Sequence, residues 1–212
     1  MAGIYIHIPF CKKACHYCNF HFSTSNRLQH DFVTALLREI ELRKTYITES
    51  VSTVYFGGGT PSILPSVDTK SILAKVFKVF NASKGIEITL EANPDDITNE
   101  KLQEWKECGI NRLSIGIQSF FQEDLAWMNR AHDADQAIHC IKLADNAGFY
   151  NLTVDLIYGT PTLSDENWKK NVDTVIALNI RHLSCYALTV EPKTALEKLI
   201  QQKKLTDVDN EK

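Results

Sequence analysis

The stretch Cys11-Lys-Lys-Ala-Cys15-His-Tyr-Cys18 constrains this chain more than any other. Thiols spaced C-x3-C-x2-C can converge on one metal centre. The β-favouring run Ile4-Tyr-Ile-His-Ile8 leads in and stops at Pro9, so the cysteines are expected on a loop leaving a strand. Three cysteines are one short of a closed four-thiolate site, and Phe20 stands where a nearby fourth would fit. The residues alone leave two chemistries open. One is an iron–sulfur cluster with one iron free of protein ligands. The other is a Cys3His zinc site completed by His16 or His21. The cluster is favoured, because small zinc folds draw ligand pairs from separated knuckles and no second pair occurs here.

The rest of the sequence repeats one unit. Ser23-Thr-Ser-Asn26 supplies N-cap residues, and Leu28, Phe32, Leu36 and Ile40 mark one face of a helix through about Lys44. Ser52–Phe56 reads as a strand stopping at Gly57-Gly-Gly-Thr-Pro61. A helix capped near Ser66 then turns Ile72, Leu73, Val76, Phe77 and Phe80 inward. Gly85 breaks it before a strand Ile86–Leu90, which ends at Glu91-Ala-Asn-Pro94. Thr98 caps the next helix and Gly109 terminates it. Strands at Asn111–Ile115, Leu152–Ile157 and His182–Tyr186 alternate with helical patterns. One of these carries Ala137, Ile141 and Ala144. Another is capped by Ser164 and carries Trp168, Val172, Val175 and Ile176, and the last runs over about 193–203.

Six strands, each followed by a helix, predict an α/β fold: a partial (β/α)6 TIM-like barrel with parallel strands inside and helices outside. A doubly wound sheet fits the alternation almost as well. Residues 1–205 form one core domain in this reading, and the polar 206–212 is a tail or a truncation point. Either fold collects ligands beyond the carboxyl ends of its strands. The glycine triplet, Glu91, Gln118, Asp155 and Tyr186 all fall there. Glycines without side chains let backbone amides approach a ligand, and no Gly-Lys-Ser/Thr follows to make this a P-loop. Carboxylates at strand ends suit an ammonium group or ribose hydroxyls. His7 is the nearest candidate for a catalytic residue, although a hydrogen-bonded core histidine is the plainer reading. Cys108, Cys140 and Cys185 are expected as small buried hydrophobes.

A net charge of −3 with no basic block argues against nucleic acid or an anionic membrane as partner. No run has the length of an integral membrane segment, and Pro9 and Cys11 interrupt any signal-peptide pattern. The expected location is therefore the cytoplasm, where six cysteines read as ligands and buried thiols.

Together these motifs resemble the radical S-adenosylmethionine proteins, whose cluster motif is C-x3-C-x2-C with an aromatic residue, here Tyr17, before the last cysteine. More narrowly, Tyr5–Cys11, Tyr55–Pro61, Glu91–Pro94, Ser114–Ser119, Asn129–His132 and Asp155–Pro161 resemble the coproporphyrinogen dehydrogenase-like family. The likeness runs from Gly3 to about Leu196. The early cluster motif and Phe20, in place of a further cysteine, match that family's haem chaperones better than its oxygen-independent coproporphyrinogen III dehydrogenases. Members of the family are longer, so the chain looks like the core without most of a C-terminal domain, and the family's HNxxYW haem motif is absent.

The resemblance implies that Cys11, Cys15 and Cys18 hold a [4Fe–4S] cluster whose fourth iron is chelated by S-adenosylmethionine. Gly58, Gly59 and Thr60 would meet the amino-acid end, with Glu91 and Arg130 as charge partners. Tyr5, Tyr17, Gln118, Asp155 and Ala187 would line the rest of the pocket. A one-electron reductant would reduce the cluster and yield a 5′-deoxyadenosyl radical. Haem or a porphyrin, haem-requiring recipient proteins, and a need for the full-length protein in haem binding also follow from the resemblance.

Overall fold

The structure, a computed structural model, describes residues 2–208. Six strands make one sheet: β1 (Ala2–Ile8), β2 (Val51–Gly58), β3 (Ala82–Ala92), β4 (Arg112–Gln118), β5 (Leu152–Tyr158) and β6 (His182–Ala187). Every pairing is parallel, and the strands lie side by side in chain order. A doubly wound sheet reverses its order at a switch point, so that alternative is excluded. Unreversed right-handed crossovers put all the helices on one side, as in a barrel. β1 and β6 do not pair, so the barrel is partial, as expected.

The alternation within each strand decides which side the helices cover. Ile4, Ile6 and Ile8 stand in register with Val54, Phe56 and Gly58, and the apolar rows continue through Ile88, Leu90, Leu113, Ile115, Val154 and Leu156. This convex face is buried under α1 (Gln29–Leu42), α2 (Ser66–Val79), α3 (Asn99–Cys108), α5 (Ala134–Asn146) and α6 (Asp165–Ala177). The alternate residues face the concave side and are polar. Tyr5, Tyr55, Thr89 and Arg112 form one registered row, and Glu91, Ser114, Thr153 and His182 another. Period-2 patterning in a parallel sheet thus gives an apolar outer core and a hydrophilic inner trough.

A second apolar cluster sits beyond the carboxyl ends of the strands. Leu125 and Trp127 of α4 (Gln122–Trp127) and Met128 pack with Ile157, Leu188 and Leu196 of α7 (Ala195–Gln201). Tyr17 of the cysteine loop, Leu205 and Val208 join it. Of the expected 206–212 tail, Val208 packs against this cluster and Thr206 and Asp207 are exposed, while residues 209–212 lie outside the described residues.

Thr98 and Ser164 cap their helices through side-chain oxygens, and Gly109 closes α3 in the left-handed region, as expected. Elsewhere the boundaries move for local reasons. α1 starts at Gln29 with Leu28 at the N-cap, because Ser23 is already used at the base of the cysteine loop: its backbone bonds Pro9 and Cys11. Ser66 is the first residue of α2 and makes no capping bond. β3 begins at Ala82, and Gly85 breaks no helix. It sits inside β3, where the register with β2 shifts, at a φ of 75° that glycine tolerates. Lys193 has a positive φ, so the last helix begins only after Thr194 caps it. Phe77 and Ile176 point outward, and Leu28 is exposed. Cys140 is buried as expected, whereas Cys108 is half-buried and Cys185 is exposed on β6, one of the two edges of the sheet.

Candidate cofactor site

The chain between β1 and α1 leaves the sheet, turns and returns. Cys11 N–H donates to Ser23 O at 3.0 Å and Ser23 N–H to Pro9 O at 2.8 Å, so the excursion carrying the cysteines is closed at its base. The loop after β2 is stitched to the same base. Gly59 N–H donates to Ile8 O and Thr60 N–H to Phe10 O, each at 2.8 Å. A side chain at Gly59 would stand 2.8 Å from both carbonyl oxygens, and one at Gly58, whose φ is 111°, would strike the His7 ring. Close approach of two backbones explains the glycines here.

The segment linking α4 to α5 grips the other side of the loop. Its Asn129 adopts a left-handed conformation, which aims the amide at Ala14 O, 2.8 Å away. His16 N–H donates to Met128 O, His16 Nδ1 lies 2.8 Å from Trp127 O, and Lys13 donates to Arg130 O. The Leu196 N–H of α7 donates to His16 O at 2.7 Å. Arg130 is half-buried and touches four partners: Cys15 Sγ and Tyr17 Oη at 3.3 Å, Asn93 Oδ1 at 2.8 Å and Gly116 O at 2.9 Å. It is the tie between the cysteine loop and the ends of β3 and β4.

These loops enclose one cavity of about 420 Å³. Cys11, Cys15 and Cys18 line it with Tyr17, Gly58, Gly59, Thr60, Glu91, Gln118, Arg130, Asp155 and Ala187, so all but one of the expected cofactor residues meet there. Tyr5 does not line it. Its ring stacks on Tyr55 at 5.9 Å, lower in the trough. His7 is half-buried on the concave face, not in the core, with Nε2 3.1 Å from His21 O. Phe20 is 67% exposed at the cavity mouth, near Phe22 and Tyr186.

Tyr55 is a residue that sequence reasoning passed over. Its hydroxyl donates to Glu91 Oε1 at 2.8 Å, while Gly58 N–H donates to Oε2 at 3.1 Å. The alternation in β2 placed Tyr55 on the polar face, which was the available signal. Ser114 donates to Asp155 at 3.3 Å in the same trough. Burial raises both carboxyl groups above their ordinary range, and the hydrogen bonds from Tyr55 and Gly58 to Glu91, and from Ser184 and Ser114 to Asp155, pull only partly the other way. A cationic ligand would favour their charged forms. Burial likewise pushes the Cys11 and Cys18 thiols up. A metal at this position would favour the thiolates.

The donor set fits a cluster better than a single ion. All six cysteines are free thiols. Among the described residues, no three His, Cys, Asp or Glu side chains converge tightly enough to hold one metal ion. The Cys3His zinc arrangement is therefore not formed, and His16 Nδ1 faces a backbone carbonyl instead. A cluster takes each cysteine on a different iron, so it suits thiols spread around a common cavity.

The comparisons agree. Residues 5–175 match the Radical SAM superfamily. The chain is 35% identical over 209 residues to the heme chaperone HemW of Bacillus subtilis, covering 97% of this chain and 55% of that protein. It is 36% identical over 195 residues to the heme chaperone HemW of Escherichia coli, covering 91% and 52%. Among solved structures it resembles coproporphyrinogen III oxidase (HemN) of Escherichia coli, described as a radical SAM enzyme. That likeness has a TM-score of 0.84 and 29% identity, and spans 97% of this chain and 47% of that one. The chain thus spans about half the length of the curated relatives it matches. That family implies a [4Fe–4S] cluster and S-adenosylmethionine, the groups the donor set accommodates. On the match over residues 5–175, and on the cysteine and glycine loops that fall within it, the chain belongs to the radical SAM superfamily.

Proposed function

We propose that this chain is the core of a haem chaperone of the radical SAM type, which holds a [4Fe–4S] cluster and S-adenosylmethionine and delivers haem to haem proteins. The observation that carries the reading is the convergence of three thiols, a glycine loop and two half-buried carboxylates on one cavity. Cys11, Cys15 and Cys18 hold the irons. When bound, the cluster supplies one electron, drawn from an external one-electron reductant, for cleavage of S-adenosylmethionine. Gly58, Gly59 and Thr60 receive the amino-acid end. Glu91 and Asp155 offer negative charge to a ligand that carries a sulfonium and an ammonium. Tyr17, Gln118, Arg130 and Ala187 complete the wall, and Tyr5 supports it through Tyr55.

The haem part of the reading rests on the names of the relatives and on Phe20, whose exposed ring at the mouth gives a flat apolar ligand something to lie on. Among the described residues no helix is long and apolar enough to cross a membrane, in keeping with a cytoplasmic carrier. The test is an anaerobic titration of the cluster-loaded full-length protein with haem, followed by mixing with an apo-haem protein. The expected result is a shifted Soret band and restored activity of the acceptor. Protein that binds S-adenosylmethionine but neither takes up nor passes on haem contradicts the proposal. Conversion of coproporphyrinogen III to protoporphyrinogen IX would favour a dehydrogenase instead.

A further inference from the structure

Outside the cavity, three of the loops that build it are joined by a polar strut. Lys12, the residue after the first cysteine, donates to Asp95 Oδ2 at 2.9 Å and forms an ion pair with Asp96 Oδ1. Asp96 is 2% exposed. Its Oδ2 accepts from Ser62 Oγ at 2.6 Å, and that hydroxyl accepts in turn from Asn93 N–H at 3.2 Å. Lys101 of α3 donates to Ser62 O. The strut therefore runs from the cysteine loop (Lys12) to the loop after β3 (Asn93, Asp95, Asp96) and on to the loop after β2 (Ser62). Each of these also carries part of the site: Cys11, Asn93 beside Arg130, and Gly58–Thr60.

The energetics give Lys12 leverage. Asp96 Oδ1 is buried without a hydrogen bond of good geometry, so the Lys12 ammonium beside it supplies its compensating charge. Removing Lys12 withdraws the nearer of the two cations that face the buried Asp96 carboxylate, Lys101 being the other, and leaves that charge under-compensated. The element that Lys12 ties to Asp96 is the cysteine loop itself. On this side Lys12 is its polar anchor, as Asn129 and Arg130 are on the other.

We infer that Lys12 is a positioning residue for the cluster, its ammonium joining the cysteine loop to Asp96 and, through Ser62, to the glycine loop. The inference rests on the cluster reading above. It places the Cys11 sulfur relative to the glycine loop without Lys12 touching iron.

The test compares wild type, Lys12→Met, Lys12→Arg, Ser62→Ala and the exposed control Lys84→Met. Each is reconstituted anaerobically with iron and sulfide, assayed for iron per chain, and challenged with a chelator while the cluster absorption is followed. Lys12→Met is expected to lose its cluster about tenfold faster than wild type, the scale on which supporting contacts act on metal sites. Lys12→Arg and Lys84→Met should stay near wild type in loss rate, and the cluster-free Lys12→Met should unfold at a lower temperature than either, because the buried Asp96 has lost its nearest cation. Equal loss rates for Lys12→Met and wild type overturn the inference, as does Lys12→Arg behaving like Lys12→Met. Should Lys12→Met fail to fold, Ser62→Ala carries the test: faster loss supports the strut and an unchanged rate overturns it. Wild type that takes up no iron would instead sink the cluster reading, and this inference with it.

Discussion

Both oxygens of Glu91 are engaged within the protein, one by Tyr55 and one by Gly58. A carboxylate held in this way cannot swing to follow a ligand, so its direction is set by the β2 backbone. His132 illustrates the opposite case, a buried group whose charge is refused. Its Nε2 lies 3.0 Å from Ile117 O, while Nδ1 is buried without a partner. Burial first, and the Arg130 guanidinium second, depress its pKa from 6.5 to about 3. Above 6.5 the ring is neutral in both folded and unfolded chains, and its contribution is fully present. As the pH falls below 6.5 the unfolded chain takes up a proton that the folded chain refuses, so stability falls down to about 3. The slope approaches about 1.4 kcal/mol per pH unit. His132→Gln should flatten this part of the curve in urea unfolding between neutral and mildly acid pH. An unchanged slope would show that the ring is protonated in the fold.

At the scale of elements, the site is built from strand ends that sequence alternation could reveal and from loop contacts that it could not. The glycine triplet and the cysteine spacing were legible because each needs particular residues at particular positions. Glu91 and Asp155 were legible as polar residues at the ends of apolar runs. The clamps by Asn129, His16 and Lys12 were not, because they join residues more than 80 positions apart through backbone carbonyls and single charges. Local competition also hid the start of α1, where Ser23 is diverted to the loop base. The exposure of Cys185 depends on β6 being an edge, which only the topology fixes. The junction of the two loops gives the sharpest element-scale prediction. Gly59→Ala would place a methyl group against Ile8 O and Phe10 O, neither of which can move without opening the loop base. The expected cost is about 1–3 kcal/mol in chemical denaturation, with a matching drop in cluster occupancy. Wild-type stability and iron content would show that the loops are not coupled there.

On the scale of the whole molecule, one structural choice underlies the rest. Six parallel strands in sequential order leave a sheet whose outer face is the core and whose inner face is polar. A closed eight-stranded barrel fills its interior with side chains. This one keeps a trough of hydroxyl, carboxylate and guanidinium groups leading up to the cavity. Fold class was readable from six repeats of strand and helix, and the choice between barrel and doubly wound winding needed the strand order. The cavity at the upper end then collects the cysteines, glycines and carboxylates because the loops after β1, β2, β3 and β6, the ends of β4 and β5, and Arg130 all border the same space. The central claim is that this convergence binds a [4Fe–4S] cluster and S-adenosylmethionine together. Electron paramagnetic resonance of the reconstituted, chemically reduced protein tests it most directly. The account predicts about four irons per chain, a reduced-cluster signal that shifts when S-adenosylmethionine is added, and loss of that signal in Cys15→Ala. A protein without iron, or with a cluster signal indifferent to S-adenosylmethionine, would contradict it.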